Sequence, residues 1–211
     1  VGQKTIIKTL KNALKNDKIG HAYLFSGPRG TGKTTLARLF AKALNCDEGL
    51  GHECNKCDSC EAILSGTHPD VYELDAASNS GVDNIRELID QVRYEPIMGR
   101  YKVYIIDEVH SMTSNAFNAL LKTLEEPPAH VIFILATTEP QKVLPTILSR
   151  VQRFDFSKIS DEDLISKMEY VLKQENVNYE IGALRLIARL ADGGARDALS
   201  ILEQVVSYSN D

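Results

Sequence analysis

Hydrophobic positions along the chain recur with two periods, and the switches between them mark out the elements. Over residues 5–16, Ile6, Ile7, Leu10, Ala13 and Leu14 fall at three-to-four spacing, which predicts a helix with one buried stripe. The apolar run Ala22-Tyr23-Leu24-Phe25 stops at Ser26-Gly27-Pro28, and a helix-forming segment follows over residues 33–44, so the local order is strand, loop, helix. Short apolar runs return at residues 71–74, 103–106 and 131–136, separated by helical patterns at 82–92 and 115–124. Such alternation predicts parallel β/α units and an α/β fold.

After Phe154-Asp155-Phe156 the pattern changes. Residues 161–175, 179–191 and 195–207 all read as amphipathic helices, and Ser160 with Asp163 three positions on is a cap signal for the first of them. A domain boundary is therefore expected near Ser157, giving residues 1–157 as an α/β domain and 158–211 as a small all-helical one. No internal repeat or low-complexity tract interrupts either part.

Composition narrows the function classes. A chain of 211 residues, 43% hydrophobic and 25% charged, can bury a sizeable core. No apolar run approaches the roughly 18–20 residues of a membrane span, and the opening Val-Gly-Gln-Lys-Thr has no basic-then-apolar leader, so a cytoplasmic protein is expected. A net charge of -5 lacks the bulk electrostatic footprint of an autonomous nucleic-acid binder, so any DNA contact is local or shared with partners.

Gly27-Pro28-Arg29-Gly30-Thr31-Gly32-Lys33-Thr34 fits G-x-x-x-x-G-K-[ST] and sits between a predicted strand and a predicted helix, as a phosphate-binding loop requires. Its glycines let backbone N–H groups turn towards phosphate oxygens, the helix N-terminus adds its positive dipole end, and Lys33 supplies a point charge. Thr34 is expected to hold Mg2+, with Thr35 beside it at the nucleotide. The strand Val103-Tyr104-Ile105-Ile106 delivers Asp107 and Glu108 to the sheet edge where open α/β folds place ligands. Asp107 is expected in the Mg2+ shell, and Glu108, on the other side of the pleat, is expected to orient and polarise an attacking water. Hydrolysis rather than transfer follows. Asn55-Lys56-Cys57-Asp58 matches a guanine-reading pattern, but it follows no apolar strand and reads as coincidence.

All four cysteines are gathered as Cys46-x7-Cys54-x2-Cys57-x2-Cys60. Overlapping C-x2-C units in a cytosolic chain suit a tetrahedral thiolate site, with Zn2+ favoured over an iron-sulfur cluster; His52 could replace one thiolate. Four protein ligands leave no open position, so the site is expected to be structural, stapling an insertion over residues 46–60.

With these residues in hand, the chain resembles the gamma/tau family of bacterial DNA polymerase III clamp-loader subunits, within the AAA+ ATPases. The resemblance runs over essentially the whole sequence. It is carried by Val1-Gly2-Gln3, His21-Ala22-Tyr23-Leu24-Phe25-Ser26-Gly27, the cysteines after Leu44-Asn45, Asp75-Ala76-Ala77-Ser78, Gly81-Val82-Asp83-Asn84-Ile85-Arg86, Asp107-Glu108-Val109-His110, Leu124-Glu125-Glu126-Pro127-Pro128 and Ala136-Thr137-Thr138-Glu139-Pro140-Gln141-Lys142. It implies an ATP-hydrolysing motor that loads a sliding clamp onto primer-template DNA, in company with delta, delta-prime and further gamma/tau subunits. The helical part becomes a lid over ATP, and Arg196 in Gly193-Gly194-Ala195-Arg196 an arginine that senses the γ-phosphate. Ser149-Arg150-Val151 resembles the family's arginine-finger element, with valine where the family has cysteine, so Arg150 would act on a neighbouring subunit's ATP. Thr137, or Thr138 next to it, falls at the family's first sensor position. Arg86, Arg93, Arg100 and Lys102 could form a DNA-facing surface or a solvated face. The family's subunits continue into a collar domain, which is expected to lie beyond Asp211. Another AAA+ motor and a non-enzymatic assembly subunit stay as alternatives; the cysteine insertion argues against the first, and the intact Lys33, Thr34, Asp107 and Glu108 against the second.

Overall fold

A computed structural model describes residues 2–79 and 82–209; Val1, Ser80, Gly81, Asn210 and Asp211, including the Val1 and Gly81 positions of the motifs quoted above, lie outside the described residues. Five strands, β1 (Ala22–Ser26), β2 (Val71–Asp75), β3 (Lys102–Asp107), β4 (Val131–Thr137) and β5 (Gln152–Asp155), form one parallel sheet in the order β2-β3-β4-β1-β5. The runs in β1, β3 and β4 are apolar without alternation because both of their faces are covered. Ala22, Leu24, Tyr104, Ile106, Phe133 and Leu135 enter one core with residues of α4 (Val82–Gln91) and α5 (Ser114–Glu125). The residues of opposite parity, Tyr23, Phe25, Val103, Ile105, Ile132 and Ile134, are equally buried, and α2 (Lys33–Asn45) packs against the sheet, Tyr23 meeting Phe40 edge to face at 5.1 Å. Each such aliphatic or aromatic side chain contributes about 1.5–3 kcal/mol on burial, so the central strands anchor the fold.

The chain leaves β1 for α2 and α3 (Asp58–Ser65) and re-enters at β2, the far edge, whereas β1 itself lies between β4 and β5. That reversal of direction is a topological switch point, where crevices open beyond the carboxyl ends of strands. α3, β5 and the four-residue α6 (Pro145–Leu148) went unpredicted. β5 is a short edge strand that buries little, so no apolar run announces it.

The chain divides into two compact units. One comprises Ile6–Ser26 and Lys33–Asp155 and holds the sheet. The other comprises Val1–Thr5, Gly27–Gly32 and Phe156–Asp211. In the second, α7 (Asp161–Gln174), α8 (Ile181–Ala191) and α9 (Ala195–Ser209) pack through Ile159, Leu164, Met168, Leu172, Leu184, Ile187, Ala188 and Leu202. Ser160 caps α7, its hydroxyl accepting from the Asp163 amide at 3.1 Å, as the sequence signal predicts. Gln3 is tied to Ser157 through both ends of its amide, donating to the Ser157 carbonyl at 2.7 Å and accepting from the Ser157 N–H at 3.2 Å. α1 (Lys4–Lys15) buries Ile6, Leu10 and Leu14. No helix among the described residues is long and apolar enough to cross a membrane.

Two polar fasteners join the loop before β3 to the rest of the sheet unit. Asn45, at the end of α2, pairs with the Tyr101 backbone as a strand would, donating to its carbonyl and accepting from its N–H, each at 2.9 Å. Gly99 is required there, since a Cβ would stand 2.7 Å from Asn45 Cγ. Asp70, just before β2, is fully buried and accepts from the N–H groups of Ile97, Met98 and Gly99 at 2.7, 2.6 and 2.7 Å. The loop also accounts for Lys102. It is 3% exposed, with its ammonium on the Gln91 carbonyl at 2.8 Å, so it belongs to no DNA-facing surface. Arg100 donates to the Cys46 carbonyl at 2.7 Å, whereas Arg86 and Arg93 remain exposed beside Asp83 and Asp90.

Burial alone would raise the Asp70 pKa, but the three backbone donors outweigh it and hold the carboxyl below its usual range. A depressed carboxyl contributes stability that is fully present above the unfolded value of about 3.9 and is lost as pH falls through the lower folded value. Asp70→Asn therefore lowers unfolding free energy by about 2–3 kcal/mol near neutrality, because the charge is lost and an amide NH2 turns towards N–H donors. The difference from wild type should shrink steadily below about pH 4. Urea denaturation at several pH values measures it, and a pH-independent difference would contradict the ionised assignment.

Candidate functional site

The loop 27–32 is built by glycine geometry. Gly27 has φ +145°, and a Cβ there would stand 2.4 Å from the Phe156 carbonyl oxygen, so only glycine allows the chain to pass. Thr31 is buried and its hydroxyl donates to the Pro28 carbonyl at 2.8 Å, closing the turn, while Pro28 and Arg29 are exposed at its tip. Within the same compact unit, the Gly30 carbonyl accepts from the Ala195 N–H at 2.9 Å, which brings Arg196, the second residue of α9, beside the loop. Arg196 is exposed. Two segments that the sequence separates by more than a hundred residues are thus held together here.

In the sheet unit, Lys33 opens α2 and is 6% exposed, with Thr35 on the exposed side of the same turn. The Thr34 hydroxyl donates to Asp107 Oδ2 at 2.5 Å. A hydroxyl and a carboxylate this close could share one Mg2+ ion, whose hard, oxygen-preferring coordination both oxygens suit. β3 presents Asp107 at its carboxyl end, and the pairing of β1 with β4, Ser26 opposite Thr137, brings both to the same edge.

Glu108 departs from the expected geometry. It is not the next residue on the pleat but leaves the strand with φ 49° and ψ 42°, the left-handed region, at a cost of about 1–2 kcal/mol for a residue with a Cβ. Local hydrogen bonds compensate: its N–H donates to Asp107 Oδ1 at 2.9 Å and its carbonyl accepts from the Ser111 N–H at 2.8 Å. The turn aims the carboxylate at Thr138, whose hydroxyl donates to Glu108 Oε2 at 3.1 Å. Thr137 is fully buried, and its hydroxyl lies 2.9 Å from His110 Nδ1 and accepts from the Glu139 N–H at 3.0 Å. Of the two threonines weighed from sequence, Thr138 is the one on Glu108. His110 and Glu139 stood in the quoted motifs, yet no spacing rule assigns them chemistry.

Arg150 is not brought to this cluster in its own chain. Its guanidinium donates to the Thr146 carbonyl at 2.7 Å and to Ser149 Oγ at 3.1 Å, and pairs with Glu125 at 2.8 Å.

The cysteines converge. The sulfurs of Cys46, Cys54, Cys57 and Cys60 all lie within 4.8 Å of one another, with Cys46 and Cys57 at 3.9 Å and Cys54 and Cys60 at 4.0 Å. Ligand sulfurs about 2.3 Å from a tetrahedral ion stand about 3.8 Å apart, so this donor set fits one thiolate-bound metal. α3 builds the geometry: Cys57 is its N-cap, accepting from the Cys60 N–H at 3.4 Å, which places both sulfurs at the helix start. Burial pushes the Cys60 thiol up to about 12. His52 lies outside the group. Asn55, in the guanine-like motif, accepts from the buried ammonium of Lys42.

The sequence model described as "DNA polymerase III, delta subunit" matches residues 2–160, and that described as "DNA polymerase III clamp loader subunit, ATPase lid domain" matches residues 163–211. The chain is 56% identical over 212 residues to DNA polymerase III subunit tau of Bacillus subtilis, covering 100% of this chain and 38% of that protein. It is 50% identical over 208 residues to subunit tau of Escherichia coli, covering 98% and 32%. The chain thus spans about a third of the length of these relatives. Among solved structures, the RuvB Holliday junction branch migration motor of Thermotoga maritima superposes with a TM-score of 0.71 at 21% identity, over 98% of this chain and 62% of that one, a likeness of fold.

Gly27 and Gly182 separate the steric role of glycine from its entropic one. Gly27→Ala is expected to cost about 1–3 kcal/mol of stability, since φ and the Phe156 carbonyl both oppose a Cβ. Gly182→Ala, in α8 with open space around the new methyl, should instead add about 0.5–1 kcal/mol. Denaturant unfolding of the two variants against wild type reads both signs.

Proposed function

The chain belongs to the DNA polymerase III clamp-loader subunit family, and from that premise we propose that it is the ATP-hydrolysing motor segment of a gamma/tau subunit. The observation that carries the reading is the Thr34 hydroxyl on Asp107 at the sheet edge with Glu108 next in sequence, turned out of the strand and held by Thr138. A subunit with a vestigial phosphate loop has no need to keep Lys33, Thr34, Asp107 and Glu108 in this arrangement.

In this reading the N–H groups of Gly27, Arg29, Gly30, Thr31 and Gly32, in a loop whose turn Pro28 stiffens, cradle the phosphates of ATP with Lys33, and Thr34 and Asp107 hold Mg2+. Mg2+ supplies charge neutralisation on the phosphate oxygens. Glu108 orients and polarises the attacking water. Arg196 meets the γ-phosphate in cis, a role supported by the bond that ties Gly30 to the start of α9. Arg150 acts in trans on a neighbouring subunit's ATP, for which it must exchange its pairing with Glu125. ATP then shifts the assembly only through contacts that differ with and without the γ-phosphate. The partners are delta, delta-prime and further gamma/tau copies, the sliding clamp and primer-template DNA, in the cytoplasm. Arg86 and Arg93 are the basic positions left to face DNA. Zn2+ is the metal the four cysteines would hold, fastening the insertion whose base Arg100 grips through the Cys46 carbonyl.

A Holliday-junction motor shares the fold, but its 21% identity against 56% for a tau subunit favours the clamp-loader reading.

The full-length subunit should bind ATP alone, hydrolyse it slowly, and be stimulated by the other clamp-loader subunits, clamp and primed DNA. Glu108→Gln should reduce the stimulated rate at least about a hundredfold while ATP affinity stays within about threefold. Absence of nucleotide binding in every assembly would make this a structural subunit. Elemental analysis should find one zinc per chain, lost in Cys54→Ser, and chelation should lower the melting temperature; a metal-free, equally stable protein would remove zinc from the reading.

A further inference from the structure

His110 lies in the 3-10 turn Val109–Ser111 that follows Glu108, and its ring is 12% exposed. Both nitrogens are engaged. Nδ1 is 2.9 Å from Thr137 Oγ1 and 3.2 Å from Glu108 Oε2, and Nε2 is 3.2 Å from Glu139 Oε2. Glu139 is held in turn by Lys142, at 2.8 Å, and its own N–H donates to Thr137 Oγ1 at 3.0 Å. With a proton on each nitrogen, His110 donates from Nδ1 to Glu108 Oε2 and Thr137 Oγ1 and from Nε2 to Glu139 Oε2, so one ring bridges the two carboxylates. Glu108 rests against that ring and takes its second contact from Thr138.

Resting on the ATPase reading above, we propose that His110 is a positioning residue for hydrolysis: it fixes the Glu108 carboxylate and ties it to Glu139 at the head of the segment that runs on to Arg150. The need for it follows from the backbone. A residue in the left-handed region has left the strand, so strand pairing no longer determines where its carboxylate points, and side-chain neighbours must. Two such neighbours touch it, Thr138 and His110, and His110 extends the contact to Glu139. Glu139 precedes and Lys142 ends the turn Pro140–Lys142, from which the chain enters α6 and then Ser149 and Arg150. The carboxylate proposed to act in cis is therefore joined through His110 and Glu139 to Lys142, and from there the chain itself leads to the arginine proposed to act in trans. Misplacing a reacting group by an ångström can cost about a hundredfold in rate without altering substrate affinity, and phosphate binding rests on other residues.

The test is steady-state ATP hydrolysis by the assembled clamp loader with full-length subunits, clamp and primed DNA, beside ATP affinity and melting temperature. His110→Phe keeps a ring and removes both nitrogens; it should lower kcat about tenfold to a hundredfold with KM and ATP affinity within about twofold. His110→Gln, which can still donate to Glu139, should recover a part of the rate. Glu139→Gln should lower kcat in the same direction, and combined with His110→Phe should fall no further than the worse single variant. An active wild type with unchanged kcat in a folded His110→Phe overturns this inference alone, as does a loss shared equally by KM, and additive losses in the double variant overturn the link to Glu139. An assembled wild type that hydrolyses no ATP overturns the functional reading and this inference with it.

Discussion

A sheet covered on both faces can offer polar chemistry only where its strands end, and that constraint organises the site. β1, β3 and β4 are apolar at every interior position because neither face meets water, so Thr137, Asp107 and Glu108 find room for function only at the carboxyl edge. Parallel register then does the alignment. Because strands run in one direction, Ser26, Asp107 and Thr137 arrive at the same edge without a loop of their own to place them. Placing β1 between β4 and β5 adds the switch point.

The insertion carrying the cysteines lacks this support and is fastened differently. It leaves α2 at Asn45 and must be held against a sheet to which it contributes no strand. Asn45 pairs with Tyr101, Arg100 grips the Cys46 carbonyl, and Asp70 holds the loop between them. Each of these three side chains bonds to backbone groups, whose positions the covalent chain already limits, so less side-chain entropy is lost than in pairing two side chains. They fasten the base of the insertion whose four sulfurs lie within 4.8 Å of one another.

Much of this was legible in the residues. Periodicity found β1 to β4 and the long helices, because β1, β3 and β4 bury unbroken runs, β2 carries the half-buried Val71, Tyr72 and Leu74, and each long helix has an apolar stripe. It missed β5, which pairs with β1 but buries little, and α3, whose helix start is made of cysteines rather than apolar residues. Motif spacing found the loop, the acidic pair and the thiolates, since those patterns are local. It placed Glu108 one pleat on from Asp107, whereas a hydrogen bond from its own N–H to Asp107 turns it out of the strand. Lys102 looked like surface charge because a lysine before a strand ordinarily is; only the structure shows its ammonium buried on the Gln91 carbonyl beside Tyr94. His110 and Asp70 acquire meaning only through partners distant in sequence.

The carboxylates of the sheet unit show how one chemical group serves two ends. Asp70 is sealed from water, and its donors are three consecutive backbone N–H groups that cannot rotate away, so the arrangement is rigid and exchange of partners would require local unfolding. Asp107 and Glu108 keep access to solvent, and their partners include the hydroxyls of Thr34 and Thr138, which reorient within a rotamer's motion. A hydroxyl that donates to a carboxylate can as readily turn its oxygen to a cation, and a carboxylate released from a hydroxyl can receive a water. Stability calls for donors fixed by the chain, and turnover calls for donors that can leave. The fold supplies both kinds to the same side chain type, according to whether the carboxylate lies in the loop packing or at the open end of a strand.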